Sequence, residues 1–300
     1  MSRCAKLGKG ARSAEGRKGC ATLRRLCLGR WEGGAGATGF FPGFLSYNDE
    51  VGGKMTTLQK TKDHGGVRGY LKQSREPLTA AIAVLPLFVA YQVGILVAGG
   101  ARNGVDFVSD LLRWAFGGDL GTYLIFNAVV LVGFVGAVVV LRRKGELHPR
   151  VLPLMLLECS VYAVLVGGLV NTLIHLTGLS GLLAAGGSAP GLLTKIVLSA
   201  GAGLYEELVF RLMMMGGLFW VLHKVGGLGR VAASLLAVVA SSLIFSAVHH
   251  IVEPFTLSAF IFRFFAGVIF AILFYGRGFA IAAWTHALYD VWVMVFHDPG

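Results

Sequence analysis

Seven apolar stretches, each long enough to cross a lipid bilayer, constrain this chain more than any other feature. The first, Leu78–Gly99, has no charged residue, and about 20 apolar residues suffice for a helix that spans the hydrocarbon core. The others are Thr122–Leu141, Val151–Ile174, Leu192–Leu222, Val231–Val248, Phe255–Tyr275 and Phe279–Phe296. Because a backbone in lipid must satisfy its own hydrogen bonds, the sequence predicts an all-α polytopic membrane bundle of about seven (six to eight) transmembrane helices.

Two further segments refine this picture. Residues 103–116 alternate acidic with bulky apolar residues, which predicts one amphipathic helix lying at the membrane interface. Leu192–Leu222 would be about 46 Å long as one helix, against a hydrocarbon core of about 30 Å. The helix must therefore either tilt or break, and the candidates for a break are Gly201, Gly203, Gly216 and Gly217.

The charge is unevenly distributed. Hydrophobic residues make up 55% of the chain and charged ones 14%, whereas soluble domains carry about a quarter charged residues. Residues 1–75 hold 15 Lys and Arg against 5 Asp and Glu, and the remaining residues hold 12 against 11. We therefore predict a basic, mostly disordered tail over 1–75, with Met55 as an alternative natural start, and a membrane domain over 76–298.

Loop charges give the predicted orientation. The tail and the connections 142–150, 222–230 and 275–278 are basic, which places them and the N-terminus in the cytoplasm. The sequence thus predicts a multi-pass protein of a bacterial cytoplasmic membrane, with membrane lipids as neighbours. Nucleic acid is not an expected partner, since the glycine-rich tail lacks any period. The sequence does not indicate an oligomeric state.

Three clusters of ionisable side chains lie in or at the end of the last four apolar stretches, although charges at membrane depth are costly and usually functional. Glu207 and Arg211 are four residues apart, in the favourable order for a helical ion pair, which leaves Glu206 without a local partner. His249 ends another stretch. His286 and Asp290 share one face of the last stretch because they too are four residues apart.

Two imidazoles and several carboxylates suit either a zinc site with an open position or a carboxylate that activates water. Each cluster also has a structural interpretation. Glu207 and Arg211 could be a plain ion pair, His249 a polar helix end, and His286 with Asp290 a hydrogen-bonded pair between helices. The occurrence of all three in one apolar region favours a functional site.

The three motifs Glu206-Glu207-x-x-x-Arg211, Phe245-x-x-x-His249 and His286-x-x-x-Asp290 resemble, in this order, those of the CPBP family. This family comprises the CAAX protease and bacteriocin-processing (Abi) intramembrane proteases, and the resemblance covers about residues 195–292. It implies an all-α bundle around a water-accessible cavity and an endopeptidase acting on a membrane-associated peptide or lipidated protein. Position 290 is Asp, where the prenyl-protein proteases carry Asn.

The resemblance also implies roles. Glu206 would activate water with the help of His249 as a base or a ligand, while His286 and Asp290 would complete the site or stabilise the oxyanion. Arg211 would hold Glu207. The predicted catalytic set is Glu206, Glu207, His249, His286 and Asp290, with Arg211 and Phe245 as structural residues. The family pattern leaves open whether the glutamate acts without metal or with one divalent ion, zinc, held by Glu206, His249 and His286.

Two other function classes remain as alternatives. A proton- or ion-coupled transporter could use the same side chains as a relay, but it would be expected to show two repeated halves, which the sequence lacks. A catalytically inactive membrane scaffold could bind a partner in the same cavity. For His249 and His286 to meet in one cavity, either the turn 276–278 must dip into the membrane or the fifth apolar helix must continue past Ile251.

Overall fold

The computed structural model describes residues 66–97, 120–176, 191–251 and 254–296, and these ranges are built from helices. The predicted interfacial helix, most of the predicted tail and the loop before residue 191 lie outside the described residues. The helices are α1 Val67–Gln73, α2 Pro77–Val97, α3 Leu120–Arg142, α4 Leu152–Leu176 (after a 3-10 turn, Pro149–Val151), α5 Leu192–Val225, α6 Arg230–His249, α7 Leu257–Arg277 and α8 Phe279–Phe296.

The predicted all-α membrane bundle is confirmed. Each of the seven predicted apolar stretches is a helix, with ends within about three residues of those expected. Five helices within the described part of the chain are long and apolar enough to cross a membrane, and Ala128–Arg142 and Phe279–Val295 are shorter apolar helices. Their composition and packing are those of an integral membrane protein.

Helix α5 is continuous, so the predicted alternative of a break at its glycines is wrong. Gly201 and Gly216 both keep helical backbone angles, and between them Ala202–Met215 is wound as a π-helix. The glycine at 203 serves packing instead, because a Cβ there would lie 2.5 Å from the Ala283 carbonyl oxygen and 2.6 Å from the Ala287 Cβ. The missing side chain therefore lets α5 approach α8 closely.

Helix α8 is the centre of the bundle and packs against α2, α4, α5 and α7. Its inner faces carry small residues, among them the buried Ala280, Ala283 and Ala287, so its neighbours come close. The indole nitrogen of Trp284 donates a 2.6 Å hydrogen bond to the Ala83 carbonyl of α2. Helix α8 is therefore held at a defined height, and it carries two of the predicted site residues.

The turn between α7 and α8 lies inside the bundle. Arg277, the last residue of α7, contacts Glu158, which is about 9 Å along α4 from Leu152. The thiol of Cys159 lies 3.6 Å from the Ile281 carbonyl oxygen, near the start of α8. Helix α6 ends at His249, so the predicted continuation past Ile251 is wrong, and the inward turn is what lets the two histidines meet.

The packed body begins before residue 76, where the tail was predicted to end. Helix α1 precedes that boundary, and the Tyr70 hydroxyl donates a short hydrogen bond to the Glu158 carboxylate of α4. Ser74, just after α1, is almost completely buried. A polar sequence with one tyrosine gave no apolar pattern by which this packing could have been predicted.

Candidate active site

Glu206 lies where three helices converge. Its side chain, 3% exposed, comes from the π-helical part of α5, and its two carboxylate oxygens face two different imidazoles. Oε1 is 3.7 Å from Nε2 of His249 at the end of α6, and Oε2 is 3.7 Å from Nε2 of His286 in α8. The carboxylate that lacked a local partner in the sequence therefore has two partners from other helices.

Glu207 is completely buried and faces the opposite side of the His286 ring. Its Oε1 is 2.9 Å from Nδ1 of His286, and its Oε2 is 3.4 Å from Nε of Arg211. Because a carboxylate accepts and does not donate, this contact assigns the proton on His286 to Nδ1. The predicted pair of Glu207 and Arg211 is present, and it holds the histidine ring as well.

Arg211 is enclosed by aromatic rings and a backbone carbonyl. Its Nη2 donates to the Gly267 carbonyl oxygen at 3.4 Å, and its guanidinium carbon lies 4.3 Å from the centre of the Phe245 ring. Such cation–π contacts stabilise a desolvated cation by about 2 kcal/mol. Phe245, predicted as a structural residue, thus supports the cation, and its ring also meets His249 edge-on at 4.8 Å.

The His286 ring is held by a residue that the sequence analysis missed. Phe270 of α7 stacks on it with ring centres 4.3 Å apart and an interplanar angle of 13°. In the sequence, Phe270 is one phenylalanine in an apolar helix and nothing distinguishes it from its neighbours. Together, Phe270 and Glu207 fix the plane and the tautomer of the ring.

His249 and Asp290 form the outer part of the site. Nδ1 of His249 is 2.8 Å from the Phe245 carbonyl oxygen, to which it donates, so Nε2 is the nitrogen that faces Glu206. Oδ2 of Asp290 is 3.5 Å from Nε2 of His286, one helical turn away. Both side chains are more exposed than Glu206, at 14% and 17%.

Glu206 makes no direct hydrogen bond to either imidazole, since its two contacts of 3.7 Å are longer than the 2.7–3.2 Å of such a bond. Polar atoms at this separation can share a bridging water. The five residues predicted as catalytic are therefore brought together around Glu206. A water molecule between Glu206 and His249 would have a carboxylate and an imidazole nitrogen as partners.

The predicted metal ligands Glu206, His249 and His286 are neighbours, and each histidine presents Nε2 towards the carboxylate. Zinc needs its nitrogen and oxygen ligands at about 2.0–2.2 Å. Over the part of the chain that the structure describes, no three His, Cys, Asp or Glu side chains converge closely enough to hold a metal ion. Zinc therefore stays a prediction, and the steps proposed for Glu206 and His249 do not depend on it.

A second buried ionic cluster, which the sequence analysis did not identify, lies at the α7–α8 turn. The loop charges predict Arg277 to be an exposed loop residue, but its side chain is 9% exposed and pairs with Glu158. Burial and the hydrogen bond to Glu158 raise the pKa of Tyr70, which keeps its hydroxyl protonated as a donor. The only hint in the sequence was a single carboxylate inside an apolar stretch.

Comparison with known proteins gives one match. Residues 188–292, which run from just before α5 to the last turns of α8, match the Rce1-like family, described as "Type II CAAX prenyl endopeptidase Rce1-like". The match contains the three motifs and every predicted site residue, and it confirms the resemblance drawn from them. Neither a curated protein nor a solved structure matches the chain.

Proposed function

We propose that this chain is an intramembrane endopeptidase of the CPBP family in which Glu206 activates the attacking water, and the match of residues 188–292 to the Rce1-like family supports this proposal. The substrate class is a membrane-associated peptide or lipidated protein, of which a prenylated CAAX C-terminus is the first example to test. The observation that carries the proposal is the position of Glu206. Its desolvated carboxylate lies between two imidazole nitrogens, 3.7 Å from each.

Proton transfer begins at Glu206. A water molecule between Oε1 and Nε2 of His249 loses a proton to the carboxylate as its oxygen attacks the scissile carbonyl carbon. The lone pair on the His249 nitrogen orients the second hydrogen of this water, because Nδ1 is already occupied by the Phe245 carbonyl. Protonated Glu206 then delivers its proton to the leaving amine. General base and acid catalysis of this kind contributes about 10²–10⁴-fold to a rate.

Charge on the carbonyl oxygen is stabilised by His286. With Glu207 beside Nδ1, the ring can carry a second proton on Nε2 and act as a cationic donor. The nearest protein acceptors of that proton, Asp290 at 3.5 Å and Glu206 at 3.7 Å, are too distant for strong hydrogen bonds, so the donor is available to the substrate. An ionised Asp290 cannot itself donate, and we assign it the orientation of the imidazolium.

The test is cleavage of a quenched farnesylated CAAX peptide by the purified full-length protein, with the products identified by mass. We expect Glu206→Gln, which keeps the shape but cannot accept a proton, to lower kcat by about 10²–10⁴-fold. The matched control is Glu146→Gln, at a carboxylate whose side chain is 87% exposed, and it should behave as wild type. Cleavage that survives Glu206→Gln would contradict the role proposed for Glu206, whereas a wild-type protein that cleaves no peptide substrate would favour the transporter or scaffold alternatives.

Chelation tests the metal separately. Because the described side chains do not converge on a metal position, we expect cleavage to persist after treatment with a chelator. Loss of cleavage that only added zinc restores would contradict this, and it would mean that Glu206, His249 and His286 draw together around the ion.

A further inference from the structure

The pair of Arg277 and Glu158 joins two helices with good geometry. Nε of Arg277 lies 2.5 Å from Oε1 of Glu158, and Nη2 lies 2.7 Å from Oε2, which is the two-pronged arrangement that makes an arginine–carboxylate pair directional. The two side chains are 9% and 16% exposed. Neither belongs to the three motifs, and neither contacts Glu206 or His286.

The same arginine is held by α1 and the residues that follow it. Nη2 of Arg277 also donates to the Ser74 hydroxyl at 3.1 Å, and the guanidinium lies 5.3 Å from the centre of the Tyr70 ring. The Tyr70 hydroxyl donates to Glu158, which closes the cluster. The end of α7 is therefore fastened at once to α1, to Ser74 and to α4.

The connection between this cluster and the active site is short and rigid. One residue, Gly278 with φ +91°, lies between the end of α7 and the start of α8. His286 follows seven residues into α8, about 10 Å along a rigid helix. A displacement of Arg277 along α4 would therefore be passed on to the His286 ring.

We propose that Arg277 and Glu158 are positioning residues, which set the height of α8 so that His286 meets both Glu206 and Glu207. The inference rests on the proposed function for its effect on catalysis. The contact most sensitive to height is the 2.9 Å bond between Nδ1 of His286 and Glu207. A shift of α8 by the rise of one residue, about 1.5 Å, would break it, and misplacement of a catalytic group by about 1 Å can cost 10²-fold in rate.

The rival explanation is that the pair only stabilises the fold. The double variant Glu158→Leu with Arg277→Met distinguishes the positioning role from a purely stabilising one, because apolar replacement of a buried ion pair is often neutral or stabilising. We expect this variant to have a melting temperature at or above that of wild type, a kcat lower by about 10²-fold and a KM within about twofold. Arg277→Lys keeps the charge without the two-pronged contact. We expect its kcat to be about tenfold higher than that of the double variant.

The kinetic measurement is made well below the melting temperature of each variant, with Glu146→Gln as the control. A wild-type kcat in the double variant would overturn the positioning role and leave the pair a stabilising one. If wild-type protein cleaves no farnesylated peptide, that substrate is excluded, and the height of α8 is tested without activity.

The activity-independent test is cross-linking between α4 and α8. Cys159 and Ile281 are completely buried in one apolar cluster, so Ile281→Cys supplies a second thiol for Cys159. Cys4, Cys20 and Cys27 are replaced by Ser in this background. We expect copper phenanthroline to oxidise the 159–281 pair readily, and the added substitutions Glu158→Leu and Arg277→Met to slow the oxidation several-fold. An unchanged rate of cross-linking would overturn the proposal.

Discussion

Two buried glutamate–arginine pairs hold this protein together, and they differ in how they arise from the sequence. Glu207 and Arg211 are one turn apart in α5, and both are almost completely buried. Glu158 and Arg277 are 119 residues apart, join two helices and retain some exposure. The first pair supports a motif from within its own helix, whereas the second sets one helix against another. The local pair fixes the position of a side chain within α5, whereas the long-range pair fixes the end of α7 relative to α4.

The largest effect should come from breaking the local pair. Arg211→Ala leaves the buried Glu207 with His286 as its remaining partner, and we expect a loss of about 3–5 kcal/mol and a strong fall in the amount of folded protein in the membrane. Arg277→Ala should cost less, because water reaches Glu158 more easily. Equal losses in an unfolding titration of the two variants would show that burial does not distinguish the pairs.

The second-largest effect should come from separating α5 from α8. Glu207 in α5 reaches His286 in α8 only because the two helices approach closely. Gly203→Ala places a Cβ 2.6 Å from the Ala287 Cβ, so we expect a cost of about 1–3 kcal/mol together with a lower kcat. Gly217→Ala is the matched control, since the same helix has nothing within 4 Å of a Cβ at that position. Similar melting temperatures and rates for both variants would contradict the packing role of Gly203.

The smallest expected effect comes from the tyrosine that contacts the pair of Glu158 and Arg277. Tyr70→Phe removes the hydroxyl that donates to Glu158 but keeps the ring beside Arg277, so we expect a loss of about 0.5–1.5 kcal/mol. The pair itself would persist, and kcat should change by less than about twofold. A loss as large as that of Arg277→Ala would mean that the tyrosine, and not the arginine, fastens α4 to the turn.

Residues one helical turn apart could be paired from the sequence alone, since a helix places them on one face. This holds for Glu207 with Arg211 and for His286 with Asp290. The meeting of Glu206 with His249 and His286 was predicted only through the family resemblance, because it depends on how three helices cross. The helix bounds could be predicted because a helix that crosses the membrane must be apolar over the thickness of the bilayer, so the ends of an apolar stretch lie close to the ends of the helix.

Other features had no signal of this kind. Phe270 looks like an ordinary member of an apolar helix until its contact with another helix is known, and the single carboxylate of Glu158 does not reveal which residue is its partner. Arg277 follows the pattern of a basic loop residue, although it is buried. Glycines in α5 fit a helix break and a close helix contact equally well, and only the position of Ala287 distinguishes the two.

The central claim is that Glu206 and His249 act as one unit on one water molecule. Its most direct test is kcat for Glu206→Gln, His249→Gln and the double variant with a farnesylated CAAX peptide. The effects of substituting residues that act as a unit are strongly non-additive. We therefore expect kcat of the double variant to be about as low as that of Glu206→Gln alone. Losses that multiply would contradict it, because they would mean that the two side chains act at separate steps.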